Sequence, residues 1–144
     1  MPHTHGNSSI NDGLAALLAA FGCESGTLHV MGSDGTLHLR AACGIPASIL
    51  DIVRDIPVGK GMAGLAAERK KPVSTCNLQT DCTGDIRPGA KTAGVGGSVC
   101  VPILGSSGEV LGTLGAGCHA ERVFTQEEEA RLMTAGAALL QQCV

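Results

Sequence analysis

The chain has 144 residues, 44% of them hydrophobic, and a formal net charge of −3. That length supports one domain with a sizeable core. The acidic balance argues against a general nucleic-acid binder, which needs clustered Lys and Arg to neutralise phosphates. Arg69-Lys70-Lys71 is the one basic cluster and is too short to change this. With no Trp or Tyr, and only Phe21 and Phe124 as aromatics, stacking on bases or flavins has little to work with. No apolar run reaches membrane-spanning length, and Met1-Pro2-His3-Thr4-His5 lacks a signal-peptide pattern. A cytoplasmic protein without a membrane partner is expected. Seven cysteines (23, 43, 76, 82, 100, 118 and 143) show no CxxC spacing. Their odd number and the missing leader favour buried, reduced thiols over a disulfide framework.

Residues 1–9 are polar and expected to be disordered, so the domain is placed at 10–142. Ile10, Leu14, Leu17, Leu18 and Phe21 have helical spacing, predicting an amphipathic helix over 10–22. Alternating runs over 26–32 and 35–43, joined by Gly32-Ser33-Asp34-Gly35, predict a β-hairpin. Period two is expected to put His29, His38 and Arg40 on one face and Leu28, Val30, Leu37 and Leu39 on the other. The histidines then read as a surface pair rather than a metal site. Pro46, Ile49, Leu50 and Val53 predict a short helix ending near Arg54.

The stretch from Ile56 to Arg69 organises the chain. Gly59, Gly61 and Gly64 lead from an extended segment into an Ala-rich run with good helix propensity. Free N–H groups at Gly61, Met62, Ala63 and Gly64 at that helix start favour anions or carbonyl oxygens. They can form one wall of a ligand pocket, or simply cap a helix in water.

Pro72–Asn77 reads as a short strand. The irregular stretch 78–97 carries Asp81, Cys82, Asp85, Arg87 and Lys91, which can face a ligand or solvent. Ser98–Leu104 is apolar enough for a central strand, and Gly105-Ser106-Ser107-Gly108 turns the chain into a last strand over 109–118. Val110, Gly112, Leu114 and Ala116 are expected on one face of it, with Leu111, Thr113 and Gly115 on the other. Small residues on both faces predict that helices pack close to the sheet. Thr125-Gln126-Glu127-Glu128 is a capping box. It opens a final helix with Leu132, Met133, Gly136, Leu139 and Leu140 on one stripe. The two terminal helices can pack on one sheet face, pair with a second subunit, or both.

In this order the segments Ile56-Pro57-Val58-Gly59-Lys60-Gly61-Met62-Ala63-Gly64, Pro72-Val73, Ser98-Val99-Cys100-Val101-Pro102-Ile103, Val110-Leu111-Gly112-Thr113-Leu114 and Phe124-Thr125-Gln126-Glu127-Glu128 closely resemble GAF domains. The resemblance covers about residues 10–142. It implies an α+β, profilin-like fold: an antiparallel sheet with the terminal helices on one face and a ligand pocket on the other. GAF domains typically bind small molecules, signal through their terminal helices and often dimerise along them.

Sharper members of the family fit less well. Free methionine-R-sulfoxide reductase needs reactive thiols, but its three active-site cysteine positions align with Val53, Ala63 and Lys91. No enzyme activity is therefore expected. Bilin-binding members attach chromophore through a Cys often followed by His. Cys118-His119 has that dipeptide, but after the last strand, and the aromatic walls are missing. Bilin and haem are not expected, and the sequence requires no cofactor. Members holding a mononuclear iron have Cys and Asp where Ser98 and Gly117 stand here; Asp81, Cys82, Asp85 and Cys100 form a weaker alternative set. The cyclic-nucleotide signature lacks its Asn-Lys partner.

The expectation is a stand-alone sensory domain that binds a small ligand, with an anion among the candidates. Its ligand-binding set is Gly61, Met62, Ala63, Gly64, Cys76, Arg87, Lys91, Ser98 and Cys100. It would form a homodimer through the terminal helices and signal to a separate protein such as a histidine kinase. A ligand-free dimerisation module and a thiol redox sensor are the alternatives.

Overall fold

The computed structural model describes residues 2–75, 96–120 and 122–142. Helix α1 (Pro2–Ala20) leads into β1 (Ser25–Met31) and β2 (Thr36–Cys43). Helix α2 (Ala47–Val53), strand β3 (Asp55–Pro57), helix α3 (Gly61–Arg69) and strand β4 (Val73–Thr75) follow. The described chain resumes with β5 (Ser98–Leu104), β6 (Val110–Gly117) and α4 (Gln126–Gln141). The strands form one sheet in the order β3-β2-β1-β6-β5-β4, each neighbour antiparallel to the next. This is the expected α+β architecture.

The two hairpins β1–β2 and β5–β6 close with the same local device. Gly32 N–H donates to Thr36 O at 2.8 Å, and Gly105 N–H donates to Glu109 O at 2.8 Å. Gly35 and Gly108 then occupy the left-handed region, at φ 76° and 82°. A Cβ at either would meet nothing within 4 Å, so backbone conformation alone demands glycine there.

One face of the sheet carries the terminal helices. Ile10, Leu14 and Leu18 of α1, with Leu132, Leu139 and Leu140 of α4, pack on Leu28, Ala41, Val99, Val101, Ile103, Leu114 and Ala116. Thr125 caps α4 as expected: its hydroxyl accepts from Glu128 N–H at 3.1 Å, and the Glu128 carboxylate accepts from Thr125 N–H at 2.9 Å. Of the open alternatives for the apolar stripes, packing on the chain's own sheet is realised. Leu132 and Leu139 are buried within the protomer, so a charge at either would strike the core before any partner surface. The opposite face is covered by α2 and α3; Ala67 of α3 packs with Ile56 of β3 and Leu37 of β2, and Ala66 with Val73 and Cys100.

Four sequence expectations change. Helix α1 starts at Pro2, not at Ile10; the apolar stripe marks where the helix packs, not where the backbone becomes helical. Strand β3 emerges from the segment read only as extended, because three residues become a strand only by pairing with Thr36–His38 of β2.

The histidines do not share a face. The register sets His29 opposite Leu39 and His38 opposite Val30. Residues directly opposite share a face, so one register step separates the two rings. His38 is exposed between Asp34 and Asp55 (3.2 and 2.8 Å), whose carboxylates raise its pKa above the usual 6.5. His29 is buried on the α2–α3 side. A bulge beyond Ile103 likewise moves Val110 off the Leu114 face, where it joins Leu37 and Ile56.

Two glycines test how closely elements approach. A Cβ on Gly112 of β6 would lie 2.2 Å from the His29 carbonyl oxygen, a backbone atom that cannot step aside. On Gly136 of α4 it would meet only the side chains of Leu114 and Ile103, at 3.2–3.3 Å. Gly112→Ala is expected to cost about 2–3 kcal/mol through overpacking. Gly136→Ala should stay within about 1 kcal/mol of neutral, because helix propensity offsets the squeeze. Urea unfolding followed by circular dichroism measures both; equal costs would contradict the packing described.

Candidate functional site

A cavity of about 150 Å³ lies between the sheet and the layer formed by α2 and α3. Its floor comes from Ser25, Thr27 and His29 of β1, Ser98 and Cys100 of β5, and Gly115 and Gly117 of β6. Ile45, Ile49, Ile52, Val53 and Ile56 form an aliphatic wall, and Gly61, Met62 and Ala63 close it at the start of α3. No charged side chain lines it among the described residues.

Helix α2 owes its place to a hydrogen bond from the floor. His29, only 1% exposed, has its Nε2 at 2.7 Å from the Val53 carbonyl at the end of α2. A carbonyl only accepts, so Nε2 carries the proton and the neutral ring keeps a lone pair on Nδ1. That Nδ1 is buried without a partner. Burial lowers the His29 pKa below 6.5, against the opposing pull of the Val53 bond. The ring is therefore neutral at neutral pH.

The start of α3 is built by backbone bonds. Gly59 and Gly61 take positive φ (92° and 64°), and Lys60 N–H donates to Pro57 O at 3.1 Å. Gly64 N–H donates to Lys60 O at 3.0 Å, while Gly64 O accepts from Gly59 N–H at 2.8 Å. The N–H groups of Gly61, Met62 and Ala63 have no acceptor among the described residues. They carry the partial positive charge of the helix start.

Five of the expected residues therefore meet at one cavity: Gly61, Met62, Ala63, Ser98 and Cys100. Gly64 does not line it. Its N–H, expected to be free, is used in the first helical bond, and a Cβ there would lie 2.5 Å from Pro57 O. Cys76, Arg87 and Lys91 lie outside the described residues, as do Asp81, Cys82 and Asp85. Ser98 Oγ donates to Ala116 O at 3.3 Å. Burial pushes the Cys100 thiol up to about 12, which keeps it protonated and unreactive at neutral pH. The buried Thr113 hydroxyl neighbours the thiol and opposes that rise.

Sequence reasoning missed His29 and Thr27 on the floor and Ile49 on the wall as site residues. His29 alone had a signal, a polar ring inside an apolar alternating run, but its face depended on the hairpin register. Among the described residues no group of three or more His, Cys, Asp or Glu side chains could hold a metal ion. No helix among them is long and apolar enough to cross a membrane.

The fold and cavity can be set beside known proteins. The structure is similar to the GAF domain of a phosphoenolpyruvate-protein phosphotransferase from Coxiella burnetii, at 23% identity and a TM-score of 0.75, covering 96% of this chain and 82% of that one. The corresponding Acinetobacter domain gives 16% identity and a TM-score of 0.74, covering 95% and 80%. A type II free methionine-R-sulfoxide reductase from Thermoplasma acidophilum gives 20% identity and a TM-score of 0.76, covering 96% and 94%. At these identities the likeness shows the fold alone. A search of curated proteins finds no match. The GAF domain family model matches residues 9–143, nearly the whole sequence. The chain belongs to the GAF domain family, a family of sensory and regulatory domains.

Proposed function

We propose that this GAF domain is a ligand-binding sensor that takes a small, mainly apolar molecule and signals to a separate protein such as a histidine kinase. One observation carries the reading: the residues lining one aliphatic cavity include His29, whose buried Nδ1 is unpaired, and Gly61, Met62 and Ala63, whose N–H groups have no acceptor among the described residues. A pocket with an apolar body and a few polar groups is the usual design for orienting a small ligand. A ligand that fits has an acceptor for the α3 donors and an N–H or O–H for His29. Its size is roughly six to ten non-hydrogen atoms, since an apolar cavity of this volume holds benzene.

Gly61, Met62, Ala63, Ser98 and Cys100 are the proposed contacts, with Thr27 and His29 added. Gly64 acts through the backbone that sets the α3 start. Cys76, Arg87 and Lys91 remain in the proposed set on the sequence argument and would supply charge for an anionic ligand. A homodimer on the terminal helices would use their outward faces, since the inward stripes are buried.

Binding rather than catalysis is inferred. Val53 and Ala63, aligned above with reductase cysteines, line the cavity without a thiol, and Cys100 is held protonated by burial.

Calorimetric titration against a panel of small metabolites and anions tests the proposal. At least one compound is expected to bind at one site per chain. Ala63→Leu should weaken that compound about tenfold or more, equivalent to about 1.4 kcal/mol. No binder in the panel favours the ligand-free interaction module, and a binder indifferent to Ala63 puts the site elsewhere.

The pH dependence follows from His29. Its folded pKa lies below the unfolded value near 6.5. Above pH 6.5 both states are neutral and stability is flat from this group. As pH falls below it the unfolded chain takes the proton first, so stability drops. Ligand affinity should fall at more acidic pH still, around the lower folded pKa, where the folded ring takes the proton and the Nδ1 lone pair is lost. His29→Gln should flatten both profiles; an unchanged slope in the variant would remove His29 from the site.

A further inference from the structure

We propose that Cys23 and Cys118 form a peroxide-oxidisable thiol pair, positioned by Arg122. The proposal is independent of the cavity, which neither cysteine lines. Cys23 lies between α1 and β1, and Cys118 directly follows β6, so the fold joins residues 95 apart in sequence. Their sulfurs are 3.7 Å apart. A disulfide forms at about 2.05 Å, so the sulfurs need to close by roughly 1.7 Å, within reach of side-chain rotation.

The pair is not an ordinary contact of two buried thiols, because a cation is built into it. Arg122 Nη1 lies 3.4 Å from Cys118 Sγ and 3.8 Å from Cys23 Sγ. The guanidinium is itself fixed. Nη1 donates to Phe21 O at 2.6 Å, Nη2 donates to Glu128 Oε2 at 2.7 Å, and Cζ sits 4.4 Å from the centre of the Phe124 ring. A guanidinium only donates, so the sulfurs are its acceptors, and a thiolate is the better one. Cys118 also has Gly22 O at 3.5 Å, and Cys23 has Phe21 O at 3.8 Å. The Cys23 thiol is pushed up to about 12, first by burial and then by its hydrogen bond to Cys118 and the charge there. Arg122 Nη1 lies nearer Cys118 than Cys23, which assigns the attacking role to Cys118 and the resolving role to Cys23.

The balanced sequence uses hydrogen peroxide as the two-electron oxidant. Cys118 Sγ, having released its proton, attacks one peroxide oxygen. The O–O bond breaks, and the departing hydroxide recovers a proton as water, leaving a sulfenic acid. Cys23 Sγ then attacks Cys118 Sγ. The S–O bond breaks, and the hydroxyl leaves as a second water with the Cys23 proton. Two thiols are oxidised to one disulfide, and one peroxide is reduced to two waters. Both residues are buried, at 8% and 4% exposure, so the oxidant must be as small as peroxide. Oxidation also moves both sulfurs that face Arg122, which holds Glu128 of the α4 capping box. The redox state is thereby coupled to the start of α4.

Reduced wild-type protein treated with hydrogen peroxide, alkylated, digested and mapped by mass spectrometry tests this directly. A Cys23–Cys118 linked peptide is expected. Cys23→Ser should stop at a sulfenic acid on Cys118, trapped by dimedone, and Cys118→Ser should leave Cys23 reduced. Arg122→Met should slow wild-type oxidation about tenfold, the loss expected on removing one adjacent positive charge. Circular dichroism checks each variant's fold, and the wild-type map stands without them. Cys23 and Cys118 both recovered as free thiols, or a dominant link between other cysteines, would overturn the proposal.

Discussion

The start of α3 is held by backbone alone, and the cavity depends on it. Pro57, Gly59, Lys60 and Gly64 are laced by three main-chain hydrogen bonds of 2.8–3.1 Å, and two positive-φ glycines let the chain reverse within that span. Gly64 sits so close to Pro57 O that a Cβ has no room. Because no side chain among the described residues caps the helix, three N–H donors are left at its end. The same lacing orders β3, whose pairing with β2 extends the sheet to its edge. A glycine-rich stretch thus sets an edge strand, a helix direction and a cavity wall together.

The sheet divides the labour between its faces. One is covered by the terminal helices, whose apolar stripes build a mainly aliphatic core of Leu, Ile, Val and Ala with Phe124. The other is only partly filled, because α2 and α3 are short and the sheet beneath them offers Thr27, Ser98, Gly115 and Gly117 in place of large side chains. His29 bridges the gap by tying the end of α2 to the floor. A buried histidine with one ring nitrogen unpaired costs stability. Its placement on a cavity lining is consistent with a partner that arrives from outside the chain.

What could be read from sequence was what local chemistry decides. The capping box at Thr125, the hairpin turns at Gly32–Gly35 and Gly105–Gly108, and the β5 run Ser98–Leu104 all depend on neighbours within a few residues. The resemblance to GAF domains, resting on several such segments in order, supplied the architecture. What could not be read needed pairing information. The face of His29 is fixed by one register step in β1–β2, and β3 exists only through its partner strand. The thiol pair needed the β1–β6 ladder to bring residue 23 to residue 118; spacing along the chain held no sign of it. The fate of Gly64 N–H turned on which residue begins the helix, and element ends are the least sharply defined part of any sequence pattern.

The central claim is that the α3 donors and the aliphatic cavity form one binding site. Amide ¹H–¹⁵N correlation spectra recorded across a library of small apolar fragments bearing a carbonyl or carboxylate would test it most directly. The account predicts that binding fragments move the Gly61, Met62 and Ala63 amide protons downfield, with further shifts at Thr27, His29 and Cys100. Fragments that shift only resonances elsewhere, or a library that leaves these amides unmoved, would contradict it.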